Sequence, residues 1–131
     1  MSPLAAEMKA HALEAQKFSR KHLVLELDFS PHSLHELEPQ LDAVEYAIRG
    51  GKSPENVSML TRIWGAYLGE TIRQRLGGEW LPGSNSQPTI VLGGETLRPH
   101  EQVRLRIVEG AKHNVEAWFL DLQSRHSAPK N

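Results

Sequence analysis

The stretch GAYLGETIRQRLGGEW, residues 65–80, is the most strongly patterned part of this 131-residue chain. Gly65 and Gly69 stand four residues apart inside a segment whose apolar spacing predicts a helix running to Leu76. Each glycine costs a helix interior about 1 kcal/mol relative to alanine. We therefore predict that the two glycines form a shallow groove in which a neighbouring helix lies close, as small residues do at helix contacts in membranes.

The expected neighbour is the helix that precedes this stretch. Ser30 is a good N-cap and Pro31 a good first helical residue, and a leucine-rich stripe follows at helical spacing. That stripe comprises Leu34, Leu37, Leu41, Val44 and Ile48. Pro39 lies within it and should kink or split the helix. The same start signal recurs at Ser53-Pro54 and opens the glycine-containing helix.

Strand patterns flank these helices. Residues 23–28 alternate between apolar and other side chains, residues 79–82 read as a short strand, and TIVLGGETL, residues 89–97, predicts a hairpin around two glycines. A proline-initiated helix follows at Pro99, and the last helix spans about residues 112–125.

The expected fold is therefore a single α+β domain, with about four short, mostly antiparallel strands covered by about five helices. We expect an N-terminal helix over residues 1–22, the α+β domain over 23–125 and a flexible tail over 126–131.

Composition restricts the classes of function. The chain has no cysteine, which excludes disulfide frameworks, thiolate metal sites and cysteine nucleophiles. The formal net charge is −1 and no basic stripe is visible, so we expect no nucleic-acid partner. No segment approaches the roughly 20 apolar residues of a membrane span. We expect a cytoplasmic protein with no membrane partner and no cofactor.

The order of these motifs carries a family resemblance. LDFSPHSL at residues 27–34, the GAYLGE…LGGEW helix end, the hairpin, Pro99 and VRLRIVEG at residues 103–110 resemble a group of small bacterial domains of unknown function. The resemblance covers about residues 23–122 and implies the fold. The group has no established reaction, but some members look like immunity or accessory proteins of bacterial competition systems, which implies an immunity-like role.

Three residues are candidates for catalysis: Glu70, Asp28 and His35. A half-buried Glu70 beside Gly69 would have a raised pKa and act as an acid or base, or it would pair structurally with Arg73, which we favour. Asp28 is a second carboxylate or a turn cap. His32 and His35, three apart on a helix, can face one metal ion, although no third ligand is evident; we favour solvated side chains.

An acidic helix face is the candidate for partner binding. Glu38, Asp42 and Glu45 recur at i, i+4 and i+7, with no base until Arg49. They form either a solvated face or a docking surface for a basic protein partner.

Our leading hypothesis is a non-enzymatic protein-binding module, immunity-like or accessory, that docks a partner through this face; a second copy of the chain is an alternative partner. The alternative function is a small hydrolase or ligand-binding protein with a carboxylate and histidine cleft. A concave pocket with converging polar groups would favour the alternative.

Overall fold

The computed structural model describes residues 2–51, 54–83 and 87–126, and for residues 54–56 the backbone alone. These parts of the chain form five α-helices and a three-stranded antiparallel sheet, which confirms the α+β class. In chain order the elements are α1 (Pro3–Leu23), α2 (Pro31–Arg49), α3 (Pro54–Arg75), β1 (Glu79–Leu81), β2 (Thr89–Leu92), β3 (Glu95–Leu97), α4 (Pro99–Glu109), a 3-10 turn (Ala111–His113) and α5 (Val115–His126).

The sheet has the order β1-β2-β3. Trp80 of β1 pairs with Ile90, and Ile90 pairs on its other side with Leu97 of β3. Gly93 and Gly94 join β2 to β3 with φ values of 57° and 82°. Positive φ at both central residues is what a tight primed hairpin turn requires, so the predicted hairpin is confirmed.

The predicted strand at residues 23–28 is wrong. α1 continues through Leu23 and ends at Val24, which adopts the left-handed conformation with φ 51°. The residues that follow, up to 28, pair with no strand among the described residues. The side-chain amide of Gln16 instead donates to the carbonyl of Leu27 at 2.6 Å. The segment is extended and held by side chains, and the alternation reflects the burial of Leu27 against the core.

Tyr67 holds the end of the same segment. Its hydroxyl accepts a hydrogen bond of 2.7 Å from the backbone N–H of Phe29 and lies 2.6 Å from the hydroxyl of Ser33. The guanidinium of Arg75 donates to the Phe29 carbonyl at 2.8 Å. Residues of α3 thus satisfy the backbone groups that a neighbouring strand would otherwise have paired.

The N-terminal helix contributes to the core rather than lying on its surface. Met8, Ala12 and Ala15 are at most 3% exposed and belong to the one large hydrophobic cluster. α1 therefore belongs to the same domain as the rest of the chain. At the other end, His126 is the last residue of α5, and the remainder of the predicted tail, residues 127–131, lies outside the described residues.

α2 begins as predicted and passes its proline without a break. The Ser30 side chain accepts a hydrogen bond of 3.1 Å from the N–H of Ser33, and Pro31 is the first helical residue. The helix is continuous through Pro39, so the predicted split does not occur. The corresponding cap at Ser53 lies outside the described residues, and α3 begins at Pro54.

The two glycines of α3 have different neighbours from the predicted one. A Cβ at Gly65 would lie 2.6 Å from Cδ2 and 2.8 Å from Cα of His100, so the first turn of α4, not α2, lies in this space. A Cβ at Gly69 would overlap the indole ring of Trp80 in β1. The predicted close approach occurs at both glycines, but the neighbour is not α2. It is helix α4 at Gly65 and a residue of strand β1 at Gly69.

Candidate functional site

A cleft of about 680 Å³ lies between α1, α3 and α4. Its residues recur at helical spacing on each element: His11 with Met8 and Leu4 on α1, Thr61 with Val57 on α3, and His100 with Arg104 and Val108 on α4. Its apolar wall comprises Leu4, Met8, Ile48, Val57, Pro88 and Val108. On each of the three helices, the residues at the edge of the apolar face line the cleft.

Three buried polar atoms point to this cleft. They are Nδ1 of His11, Oγ1 of Thr61 and Nδ1 of His100, and none has a hydrogen-bond partner within the described parts of the chain. All three residues line the cleft. A buried polar atom without a partner costs about 1–3 kcal/mol, and native proteins contain few of them. Three on residues of one cavity make it the candidate binding site, since either ordered water or a ligand would satisfy them.

Thr61 differs from the other buried threonine of α3. The Thr71 hydroxyl donates to the carbonyl of Tyr67, four residues earlier, at 2.9 Å. This is the usual way for a helical threonine to satisfy its hydroxyl. Thr61 makes no such bond with the described residues, so its buried hydroxyl is left without a partner, on a residue that lines the cleft.

His100 is the most deeply buried of the three groups that converge there. Its side chain lies against Gly65, its residue exposure is 5%, and its ring meets Trp80 edge-on. Burial lowers the pKa of His100 to about 4; the nearby His11 acts in the same direction, and a hydrogen bond to the Arg62 backbone opposes it. At neutral pH the imidazole is therefore uncharged, with one ring nitrogen as an acceptor.

The cations of the cleft are paired. Arg62 donates two hydrogen bonds to Glu14, at 2.9 and 3.2 Å, and Arg104 donates two to Glu101, at 2.8 and 2.7 Å. Nε2 of His11 lies 4.0 Å from a carboxylate oxygen of Glu7. The two guanidinium groups are about 40% exposed, so they border the cleft where it meets solvent.

Glu70 forms the structural pair that we favoured. Its carboxylate is 2% exposed, accepts two hydrogen bonds from Arg73 at 2.9 and 3.0 Å, and accepts a third from the indole N–H of Trp80 at 2.8 Å. It borders a smaller depression of about 340 Å³ beside Gln16 and not the main cleft. Both of its oxygens are occupied.

Asp28 caps a turn. One of its oxygens accepts bonds from the N–H of Ser30 at 3.1 Å and from the Ser30 hydroxyl at 2.5 Å. The hydroxyl bond, more than the backbone bond, lowers the pKa of Asp28. The carboxylate therefore stays ionised and fixes the start of α2.

The histidine pair lies on the surface. The rings of His32 and His35 stack at 5.8 Å, and Nδ1 of His35 lies 3.0 Å from a carboxylate oxygen of Glu116 in α5. His32 faces Glu36 at 3.8 Å. Within the described ranges, no three side chains of the histidine, cysteine or acidic types cluster in a way that could hold a metal ion.

The acidic face of α2 surrounds a buried arginine. Arg106 of α4 is 1% exposed and donates from Nε to Glu38 at 2.8 Å, from Nη1 to Glu45 at 3.1 Å, and from Nη2 to Asp42. The second oxygen of Glu38 accepts from the N–H of Val115, at the start of α5, at 2.6 Å. A base from another helix thus neutralises this face, together with Arg49 at the end of α2, which pairs with Glu45.

The sequence contained weak signals for the residues that we did not single out. His11 continues the stripe of Leu4 and Met8, and His100 lies four residues before Arg104 at the start of a helix. Arg106 falls on the same arc as Val103 and Ile107, which indicates a buried position. Which of these side chains would meet was beyond the sequence, because the meeting depends on how three helices pack.

Scans against protein-family models, curated proteins and solved structures found no match for the chain. The resemblance to small bacterial domains of unknown function therefore stays a prediction. Over the stretches that the structure describes, each helix is too short or too polar to traverse a bilayer.

Proposed function

We propose that this protein is a small-molecule-binding module whose site is the cleft between α1, α3 and α4. The observation that carries the proposal is the convergence of Nδ1 of His11, Oγ1 of Thr61 and Nδ1 of His100, each buried and unpartnered within the described residues, on one apolar cavity. Its volume of about 680 Å³ matches that of small-molecule sites, roughly 300–1,000 Å³. An apolar wall with a few converging polar atoms is also typical of such sites.

Binding is better supported than hydrolysis. The carboxylates that a hydrolase would use, Asp28 and Glu70, do not line the cleft. Asp28 accepts a hydrogen bond from Ser30, and Glu70 accepts hydrogen bonds from Arg73 and Trp80. The polar groups that do converge there suit recognition, because a buried donor or acceptor discriminates strongly between ligands that satisfy it and ligands that do not.

The test is a screen of small amphipathic fragments by amide chemical-shift mapping on the full chain, with the variant Val108→Trp to cover the mouth of the cleft. Val108 and Leu120 are both 43% exposed, and only Val108 lines the cleft, so Leu120→Trp is the matched control. We expect fragments to shift amides of α1, α3 and α4, and Val108→Trp to weaken their binding at least about tenfold. Equal binding to both tryptophan variants, or no fragment that maps to the cleft, would contradict the proposal.

Protein binding through α2 is a second candidate, supported by one observation. The ring of Tyr46 is 82% exposed beside Asp42, whose side chain is 65% exposed, at a shallow depression that Pro39 and Arg49 complete. Exposed tyrosines are common anchors in protein interfaces. Because Arg106 and Arg49 offset most of the acidic charge, the tyrosine carries this proposal more than the carboxylates do.

This candidate is tested with Tyr46→Ser against Val24→Ser, which removes another highly exposed apolar side chain. A basic protein that wild type and Val24→Ser retain and Tyr46→Ser releases would support a docking surface. Size-exclusion chromatography of the same variants tests a second copy as the partner. Identical retention and identical elution for all three proteins would exclude this surface.

A further inference from the structure

We infer that the molecule bound in the cleft has an apolar body and an uncharged head group with N–H or O–H donors directed at His11 and His100. This inference rests on the proposed function and specifies its ligand. It follows from the hydrogen-bonding state of three side chains and from the charges around them.

His11 presents an acceptor. A carboxylate oxygen of Glu7 lies 4.0 Å from Nε2, beyond hydrogen-bond distance, and its negative charge attracts the proton of the neutral ring to that nitrogen. Nδ1 then carries a lone pair, and it is the buried atom that has no partner in the described structure. A ligand satisfies this atom only by donating a hydrogen bond to it.

His100 presents a second acceptor. The Arg62 backbone acts to raise the pKa of His100, which is the effect of a carbonyl oxygen near a ring N–H. Nδ1 is the nitrogen without a partner among the described residues, so the N–H on this side of the ring is assigned to Nε2. With its pKa lowered to about 4 by burial, the ring stays neutral near pH 7 and Nδ1 keeps its lone pair.

Thr61 adapts to either role, because a hydroxyl both donates and accepts. A head group that donates to two ring nitrogens and also has an oxygen would therefore satisfy all three groups. A primary amide has this combination: two N–H donors and one carbonyl acceptor.

The surrounding charges disfavour an ionic head group. A cation would lose its hydration in a mostly apolar cleft, and the one carboxylate among the described residues that line it, that of Glu7, is 59% exposed and lies 4.0 Å from His11. An anion would face two nitrogen lone pairs, unless His100 became protonated in a position where burial opposes its charge. The two guanidinium groups at the border of the cleft are already held by Glu14 and Glu101.

Four probes with one shared body test this inference on the full chain by isothermal titration calorimetry: 4-butylbenzamide, N,N-dimethyl-4-butylbenzamide, 4-butylbenzoate and 4-butylbenzylammonium. We expect the primary amide to bind at least about tenfold more tightly than the other three, because only it satisfies both acceptors without a charge. The variant Thr61→Val removes one hydroxyl at nearly constant shape, and it should reduce the affinity for the primary amide, whose carbonyl oxygen loses its donor.

The outcomes separate this inference from the proposed function. Equal affinities, or a preference for the benzoate, the ammonium or the dimethylamide, overturn the head-group assignment without contradicting the proposed function. If none of the four probes binds, the assignment also fails. The fragment screen with Val108→Trp and Leu120→Trp then decides independently whether the cleft binds small molecules at all.

Discussion

The indole N–H of Trp80 donates a hydrogen bond of 2.8 Å to the carboxylate of Glu70, across the space that Gly69 leaves open on α3. All three residues lie in the stretch 65–80, which therefore contains both sides of the contact between helix α3 and strand β1 of the sheet. The glycine is required because the large ring lies where a side chain would be. The carboxylate is buried because that ring and Arg73 supply its donors.

Glu70→Gln should destabilise the fold by about 1–3 kcal/mol, since it keeps the shape and removes a buried charge that accepts three hydrogen bonds. The measurement is urea unfolding. Glu26→Gln is the control, because Glu26 forms a similar two-bond pair with Arg20 on the surface, where ion pairs contribute little. If Glu70→Gln lowers the free energy of unfolding no more than Glu26→Gln does, the Glu70 carboxylate has no structural role.

Gly69→Ala should destabilise strongly, by about 1–3 kcal/mol or more, because the added methyl group overlaps the Trp80 ring and forces it to move. The intrinsic preference of helices for alanine acts in the opposite direction, so a net loss can only come from the overlap. Gly50→Ala, where a Cβ would make ordinary contacts at 3.5 Å, is the control. Thermal unfolding of Gly69→Ala at the wild-type temperature would show that the ring is not confined there.

Arg106→Met should cost about 3–5 kcal/mol at pH 7, because it leaves the carboxylates of α2 without their buried counter-charge. The comparison is Arg104→Met, which breaks a partly exposed pair with Glu101. A loss of stability for Arg106→Met no larger than that for Arg104→Met would argue against a charge network.

His100 should make the fold acid-sensitive. Burial lowers the pKa of the native ring to about 4, whereas in the unfolded chain it titrates at its ordinary value of 6.5, so below that value the unfolded state binds more protons. Stability is therefore fully present above pH 6.5 and falls as the pH drops toward 4, by up to about 3 kcal/mol.

The measurement is chemical unfolding at several pH values between 7 and 4, for wild type and for His100→Gln. The variant should lose the pH-dependent part of the stability, whereas His32→Gln, which changes an exposed imidazole, should retain it. If the free energy of unfolding falls equally for wild type and for His100→Gln between pH 7 and pH 4, the buried ring does not cause the acid sensitivity.

The sequence predicted the parts of the fold that depend on local rules. The cap at Ser30 and the hairpin at Gly93-Gly94 follow from local hydrogen bonding and backbone sterics, which act within a few residues. The strand at residues 23–28 failed because alternation reports burial on one side and not hydrogen bonding to a neighbour. Only the tertiary arrangement reveals that Gln16 and Tyr67 satisfy that backbone.

The candidate site was less predictable for the same reason. Glu38, Asp42 and Glu45 were correctly placed on one helix face, but their partner is 61 to 68 residues away in the chain. The cleft likewise joins His11, Thr61 and His100 from three helices. Spacing within one helix fixes which side chains share a face, and it contains no information about which faces meet.

The distance along the chain between Arg106 and α2 has a consequence for folding kinetics. Before α4 docks, three carboxylates on one face of α2 repel one another, so this helix is electrostatically penalised in any partly folded state that lacks α4. Contacts with large sequence separation also close slowly. α2 is thus stabilised late, so the loss of its pairs with Arg106 should raise the unfolding rate more than it lowers the folding rate.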